Sequence, residues 1–139
     1  MYEVVLDTNI LVTALRSRRG ASFQLISLFG QGAFRANISV ALALEYEEVL
    51  KRPGLVAGLS EAEVDTFLDY ILAVSNLIPS VFRRRPNLPD ADDELVLDLA
   101  AQCRALIVTY NKRDFAPAQR LGIDVLSPAE FLELMRQAR

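Results

Sequence analysis

The residues in this sequence with the clearest capacity for chemistry are carboxylates, and Asp7 is the first of them. It follows an uninterrupted apolar run, residues 4–6, which predicts a strand buried on both faces. Thr8 and Asn9 come next, before a second apolar run that predicts a helix. Ligands in open α/β sheets bind just outside the carboxyl ends of the strands. Asp7 therefore either takes part in chemistry at that edge or only caps the following helix, and the sequence leaves both interpretations open.

A second carboxylate, Glu45, lies among apolar residues of a predicted helix. Residues three and four positions apart share a helix face, and for Glu45 these include Leu42 and Val49. Glu47 and Glu48 differ, because each has a basic residue four positions further on. Burying an unpaired carboxylate is costly unless a metal, a basic partner or a raised pKa compensates. This favours a function for Glu45 over a glutamate at the edge of the core whose carboxylate reaches solvent.

Three acids, Asp90, Asp92 and Asp93, open a strongly apolar helix. One acid suffices to stabilise a helix N-terminus, by roughly 0.3–1 kcal/mol, and three so close repel one another unless a cation lies among them. Asp98 follows in the same helix, roughly 140° around its axis from Asp93. That angle favours a supporting role or an ion pair for Asp98 over direct binding of the same metal.

Polar residues also follow the second buried strand, which is predicted at 105–109. Asn111 and Asp114 could bring oxygen ligands to the same sheet edge as Asp7, unless they only form a turn. In a doubly wound sheet, Asp7, Glu45 and Asp93 could then converge on one crevice.

The composition narrows the chemistry. The 139 residues include no histidine and one cysteine, Cys103. Catalysis by Ser–His–Asp or Cys–His groups is thereby excluded, as are His-containing zinc and non-haem iron sites. A metal in such a protein would be hard and bound by oxygen, namely Mg²⁺ or Mn²⁺. A single cysteine cannot form an intrachain disulfide and fits a reducing compartment.

The charge pattern and the hydropathy indicate which classes of partner the protein can have. No apolar run approaches the roughly 20 residues of a membrane span, and no signal peptide is evident, so we expect a cytoplasmic protein without membrane contact. The net charge of −3 does not point to nucleic acid. Basic residues nevertheless occur in clusters, each of which taken alone is best explained as a solvated loop or helix end: Arg16, Arg18 and Arg19; Lys51 and Arg52; Arg83, Arg84 and Arg85; Lys112 and Arg113.

Strands and helices alternate along the chain, which predicts one three-layer α/β/α domain over residues 1–139 with a mainly parallel sheet. Capping signals at Ser39, Ser60 and Ser127 mark three helix starts. The predicted helices are 8–15, 22–29, 40–52, 61–76, 91–103 and one from 128 onward. The predicted strands are one ending at Asp7, then 34–36, an edge strand at 77–82 interrupted by Pro79, 105–109 and 123–126, with a basic loop at 83–89 and a polar loop at 110–115.

Four stretches, taken in order, resemble the motifs of a PIN domain, specifically of the bacterial PIN toxins of toxin–antitoxin systems. They are residues 5–11, 44–50, 93–100 and 107–115. The first motif alone is weak, but the four together, in this order and spacing, are specific and extend over essentially the whole chain.

The resemblance implies a ribonuclease that depends on Mg²⁺ or Mn²⁺, with Asp7, Glu45 and Asp93 as metal ligands and catalytic acids. The fourth acidic position of the family holds Asn111 here, and Asp114 follows three residues later as the fourth catalytic candidate. The residues expected to orient ligands, water or substrate are Thr8, Asn9, Asp98, Thr109 and Asn111. The implied partners are RNA, bound unpaired, and an antitoxin protein that covers the pocket.

Other functions fit parts of the sequence. A phosphatase with Asp7 as nucleophile would need a second acid two residues on, where this chain has Asn9. A Mg²⁺-binding phosphoacceptor domain in signalling has a similar size and layering. A module that binds nucleic acid or protein without catalysis is the third alternative. The apolar stretch 67–77 could either form a homodimer face or pack in the core.

Overall fold

The computed structural model describes residues 1–83 and 88–138, and a five-stranded parallel sheet lies at its centre. The strands are β1 (Tyr2–Leu6), β2 (Phe34–Ser39), β3 (Asn76–Ile78), β4 (Leu106–Val108) and β5 (Val125–Leu126). Their spatial order is β3-β2-β1-β4-β5, and every neighbouring pair is parallel. The first strand of the chain is therefore the central strand of the sheet.

Helices flank this sheet in the three-layer α/β/α arrangement that the sequence predicts. They are α1 (Thr8–Arg16), α2 (Ala21–Ser27), α3 (Val40–Leu50), α4 (Glu61–Val74), α5 (Ala91–Cys103) and α6 (Pro128–Gln137). Helix α5 packs against β1, β2 and β4, while α2 packs against α1 and α6. A 3₁₀ segment, Lys112–Leu121, follows β4 and kinks at Phe115.

The apolar run of β1 forms the middle of the core. Val4 and Val5 are fully buried, and Leu6 is nearly so. Val4 pairs with Ala36 on one side and with Leu106 on the other. A strand covered on both faces needs apolar residues at successive positions, which explains why this run does not alternate. Asp7, the next residue, consequently lies at the middle of the carboxyl edge of the sheet.

Local signals mark the helix starts correctly. Ser60 and Glu63 form a complete capping box, in which the Glu63 amide donates to Ser60 Oγ over 3.1 Å and Glu63 Oε1 accepts from the Ser60 amide over 3.1 Å. Ser127 and Glu130 form a second one, with Pro128 at the first helical position. Ser39 caps α3 by accepting from Leu42. These interactions satisfy amides that the first helical turn leaves without partners.

Some strand boundaries differ from the prediction. β2 is longer, because Asn37 is buried by hydrogen bonds to Glu3, to the Val4 carbonyl and to Asn76 instead of ending the strand. β3 is an edge strand as predicted, but it lies at Asn76–Ile78 and ends before Pro79, whose ring has no N–H to donate. The predicted loop 110–115 runs into the 3₁₀ segment. Arg84 and Arg85 of the predicted basic loop lie outside the described residues.

Helix α4 accounts for most of the apolar stretch 67–77. Leu68 and Ile71 are buried in the core, whereas Tyr70 is half-exposed. The stretch therefore serves the core on one face and leaves another face uncovered. Across residues 1–83 and 88–138, no helix is both long and apolar enough to cross a bilayer.

Candidate active site

Asp7 both caps α1 and takes part in a polar cluster. Its Oδ1 accepts a hydrogen bond from the Thr8 amide at 2.8 Å, as an N-cap residue does. Its Oδ2 accepts from the hydroxyl of Thr109 at 2.7 Å. The two interpretations of Asp7 are thus compatible, because one oxygen serves the helix and the other accepts from the side chain of Thr109, the residue that follows β4.

Thr109 organises the polar groups around Asp7. It is fully buried, and its Oγ1 accepts from the Asn111 amide at 3.0 Å and from Asn9 Nδ2 at 3.5 Å. With its acceptor sites used in this way, the hydroxyl proton points to Asp7. Asn9 Oδ1 is shielded from solvent and has no hydrogen-bond partner within the described part of the chain. A buried acceptor in that state is suited to a cation or a donor from a ligand.

The acids at the start of α5 face Asp7 and the segment after β4. Burial, followed by the charges of Asp7, Asp90 and Asp114, raises the pKa of Asp93 to about 7. Burial also raises the pKa of Asp7, and the charges of Asp114 and Asp90 add to it, while the hydrogen bonds from Thr109 and Thr8 oppose it. Asp90, which caps α5 by accepting from the Asp92 amide at 2.8 Å, thus contributes to the same electrostatic cluster.

A groove of about 320 Å³ runs along this cluster. Asp90, Asp93 and Asp114 line it together with Arg113. The groove therefore combines carboxylates, which suit a cation, with a guanidinium, which suits a phosphate. Its remaining lining residues are Leu88, Pro89 and Pro117.

Glu45 of α3 interacts with the first turn of α5. Burial, followed by the charge of Asp92 and a hydrogen bond with it, raises the pKa of Glu45 to about 7. Consecutive helical residues project about 100° apart. Asp92 therefore faces α3, whereas Asp93 faces the end of β1. The run of three acids in the sequence was the available signal for Asp92, but it could not show which acid meets Glu45.

Asp98 lies apart from the groove of Asp93 and Asp114. It is only 7% exposed and lines a separate hollow with Arg83 and Leu95. This location agrees with the helical angle that set Asp98 and Asp93 on different faces of α5. A supporting function for Asp98 stays a prediction.

The donor set at the edge of the sheet suits a hard divalent cation. Carboxylate oxygens of Asp7, Asp93 and Asp114 and the buried Oδ1 of Asn9 are the ligand type that Mg²⁺ and Mn²⁺ prefer. Over the described ranges, no three acidic side chains lie close enough to hold one ion in their present rotamers. The raised pKa values follow from burial and from mutual repulsion, which a bound cation would offset.

Tyr46 fixes α3 against the end of β1. It is almost fully buried, and its hydroxyl donates to the Leu6 carbonyl at 2.5 Å. The bond therefore joins the neighbours in sequence of two candidate ligands, Glu45 and Asp7. Burial also raises the pKa of this phenol, so it stays a donor.

We expect Tyr46→Phe to lower the free energy of unfolding by about 1–3 kcal/mol, because the buried Leu6 carbonyl loses its donor. Tyr70→Phe is the matched control, since the Tyr70 hydroxyl donates to the Phe29 carbonyl at 3.2 Å from a half-exposed position. Its cost should be below about 1 kcal/mol. Urea denaturation of both variants checks this, and equal losses would contradict a special function of the Tyr46 bond.

Comparison with known proteins bears on the whole chain. A family model described as the PIN domain matches residues 3–113. The matched range includes Asp7, Glu45, Asp93 and Asn111, and Asp114 lies one residue beyond it. No curated protein matches the chain.

Several solved structures share the fold. A chain of VapBC2 from Rickettsia felis bound to a promoter DNA fragment has 18% identity and a TM-score of 0.61, covering 90% of this chain and 98% of that one. A chain of VapBC-1 from nontypeable Haemophilus influenzae has 13% identity and a TM-score of 0.63, covering 91% and 98%. A chain of FitAB bound to IR36 DNA has 16% identity and a TM-score of 0.62, covering 90% and 94%. At such identities the likeness concerns the fold.

Proposed function

The chain belongs to the PIN domain family, and on this premise we propose that it is an endoribonuclease that hydrolyses phosphodiester bonds of RNA with Mg²⁺ or Mn²⁺. The observation that carries the proposal is that Asp93 and Asp114 line one groove, and that the charge of Asp114 raises the pKa of both Asp93 and Asp7. Carboxylates in this state favour a divalent cation over a purely structural arrangement.

Asp7 and Asp93 would hold the cation with Asp114 beside them, and Glu45, which interacts with Asp92 at the start of α5, would be the ligand from α3. A divalent cation bound there supplies a water molecule of lowered pKa and offsets the charge on phosphate oxygens. Asp7 contributes a carboxylate whose orientation Thr8 and Thr109 determine through two hydrogen bonds. Asn9 contributes a buried carbonyl oxygen that can accept a hydrogen bond from water or from the sugar.

Arg113 would hold the RNA backbone. It lines the same groove as Asp93 and Asp114, so that a phosphate between them would contact both the guanidinium and the metal-binding acids. Phosphate contacts of this kind are insensitive to sequence and weaken with salt. Arg113 would therefore help to position the RNA backbone at the acids without selecting particular bases.

The direct test is cleavage of a mixed-sequence single-stranded RNA by the purified protein with Mn²⁺, with Mg²⁺ and with EDTA. We expect cleavage with either metal and none with EDTA. The phosphoacceptor alternative makes a different prediction, namely a covalent phosphate on Asp7 after treatment with a small phosphodonor and no RNA cleavage. Calorimetry should detect metal binding if the chain is a ribonuclease or a phosphoacceptor domain, and none if it is a binding module without a metal site.

We further propose that the chain acts in the cytoplasm as a toxin and pairs with an antitoxin protein, and the fold that it shares with chains of VapBC2, VapBC-1 and FitAB supports this. An apolar groove of about 550 Å³ between α3, α4 and β3 supports a protein partner. Val40, Leu44 and Leu77 line it and are each more than half exposed. Exposed apolar surface of this kind is typical of interaction sites.

Charge favours an antitoxin over a second copy at this groove. Every charged residue within α3 and α4 is acidic: Glu45, Glu47, Glu48, Glu61, Glu63, Asp65 and Asp69. Lys51, just after α3, pairs with Glu47 and Asp65 and offsets only part of this charge. In a symmetric dimer the same patch meets itself, so acids would face acids. An amphipathic partner segment with apolar and basic residues is complementary, and a homodimer through another face stays a prediction.

We expect Leu44→Gln to weaken the binding of a designed amphipathic Leu/Lys helical peptide at least about tenfold, because Leu44 is an apolar anchor of the groove. Phe82→Gln is the matched control, since Phe82 is 77% exposed against 61% for Leu44 but does not line this groove. Fluorescence anisotropy with the Leu/Lys peptide and a Leu/Glu peptide measures both effects. Equal binding of the two peptides would contradict the argument from charge complementarity. An equal effect of the two substitutions would show that the peptide does not bind in this groove.

A further inference from the structure

Tyr110 is an aromatic residue close in sequence to Asn111 and Asp114, and the proposed chemistry gives it no function. It stands between Thr109, which donates to Asp7, and Asn111, whose amide donates to Thr109. Its side chain is 44% exposed. Its hydroxyl is 2.5 Å from the hydroxyl of Ser22, a fully buried residue of α2. One end of the side chain is therefore held by the protein while much of the ring remains in contact with water.

This arrangement suits a stacking surface more than a core contact. The four residues that follow Tyr110 are all exposed, so the ring does not continue an apolar core. The Ser22 bond restricts the rotamers of the tyrosine before any ligand arrives, which lowers the entropic cost of binding on the ring. Unpaired nucleobases stack on aromatic side chains in this way, whereas bases inside a duplex present no free face.

Two basic residues precede Ser22 closely in the chain. Arg18 and Arg19 occur in the segment that leads into α2, four and three residues before Ser22. Both are exposed, and neither is in an ion pair with another described residue. Guanidinium groups without a carboxylate partner are available for phosphates.

We propose that Tyr110 is a stacking platform for one unpaired base of the RNA, next to the phosphodiester held at the acids, and that Ser22 fixes the orientation of its ring. Arg18 and Arg19 then contact backbone phosphates of the same strand. The inference rests on the proposed ribonuclease function and adds to it, since it makes Tyr110 a determinant of selectivity for single-stranded over double-stranded RNA.

The experiment compares two substitutions that both remove the hydroxyl bond to Ser22. Tyr110→Phe keeps the ring and Tyr110→Leu does not. Binding is measured in an Asp7→Asn/Asp93→Asn background, which cannot cleave, with a short single-stranded RNA, the same RNA with abasic positions, and a duplex. We expect Tyr110→Leu to bind the single strand roughly 5- to 150-fold more weakly, and Tyr110→Phe to remain within about threefold of the tyrosine protein.

A spectroscopic signal tests stacking without reference to affinity. The chain has no tryptophan, so Tyr110→Trp introduces a single indole at this position. We expect its fluorescence to be quenched by the single strand and little affected by the abasic RNA or the duplex. Cleavage by proteins with intact acids should show the Tyr110→Leu effect mainly in KM.

The outcomes separate the inference from the function it rests on. If the protein with intact acids cleaves RNA but Tyr110→Leu and Tyr110→Phe bind alike, Tyr110 only ties α2 to β4 and the platform is wrong. Equal effects on normal and abasic RNA would lead to the same conclusion. If the intact protein neither cleaves nor binds any RNA, the ribonuclease proposal itself fails.

Discussion

Asp7→Asn is expected to reduce metal-dependent RNA cleavage at least about 100-fold while the protein stays folded. Asparagine caps helices as well as aspartate does, so the Thr8 amide keeps its acceptor and α1 keeps its start. The substitution removes a charge from a cluster in which burial and the charges of Asp114 and Asp90 already raise the pKa of Asp7. The asparagine Nδ2 cannot accept from the Thr109 hydroxyl, and this lost hydrogen bond offsets the relief of repulsion, so the melting temperature of the metal-free protein should change by no more than about 5 °C.

Asp69→Asn is the matched control for this experiment. It makes the same chemical change at an exposed position of α4, outside the groove of Asp93 and Asp114, and should leave cleavage unchanged. Cleavage rates and thermal melts of the two variants, with and without Mn²⁺, complete the comparison. A folded Asp7→Asn protein that cleaves normally would reduce Asp7 to a helix cap.

Without a divalent cation, the protein should become less stable as the pH rises from about 5 to 8, with the melting temperature falling by roughly 3–6 °C. Asp93 and Glu45 each have a pKa raised to about 7 in the folded chain, against about 4 when unfolded. Between these values the folded state binds more protons than the unfolded state, so each unit of pH costs stability. Partial exposure of both groups keeps the effect moderate.

Millimolar Mg²⁺ or Mn²⁺ should restore this stability at pH 8 and have little effect at pH 5, where Asp93 and Glu45 are protonated. A cation at 100 times its Kd contributes about 2.7 kcal/mol, and its binding should release protons. Asp93→Asn is expected to flatten the pH dependence in EDTA, whereas Asp69→Asn should not. Scanning calorimetry at four pH values measures the melting temperatures of the protein and of both variants, with the divalent cation and with EDTA. Stability that rises with pH in EDTA would contradict the raised pKa values.

Features that depend on neighbours in the chain could be predicted from the sequence. The capping boxes of α4 and α6 each need two residues three positions apart, and both are present as expected. The β1 run was recognisable because burial on both faces demands successive apolar residues. The position of Asp7 at the edge of the sheet follows directly from it.

Features that depend on distant residues could not be predicted. Asn37 continues β2 instead of ending it, because its amide finds partners in β1 and β3. Glu45 meets Asp92 because of how α3 and α5 are oriented, and no local pattern reports that orientation. The bond between Ser22 and Tyr110 joins residues 88 positions apart. An aromatic residue within a polar loop was the sequence signal for Tyr110, although the sequence gives no sign of its partner.

The placement of β1 at the centre of the sheet also affects how the protein is made. Asp7 is synthesised early, but its partner Thr109 follows 102 residues later, and β4, which pairs with β1, emerges only just before it. A nascent chain on the ribosome therefore holds one half of the site without the other until most of its length has been translated. Contacts between such distant residues also form late in folding. A site built in this way is completed only after β4 has paired with β1.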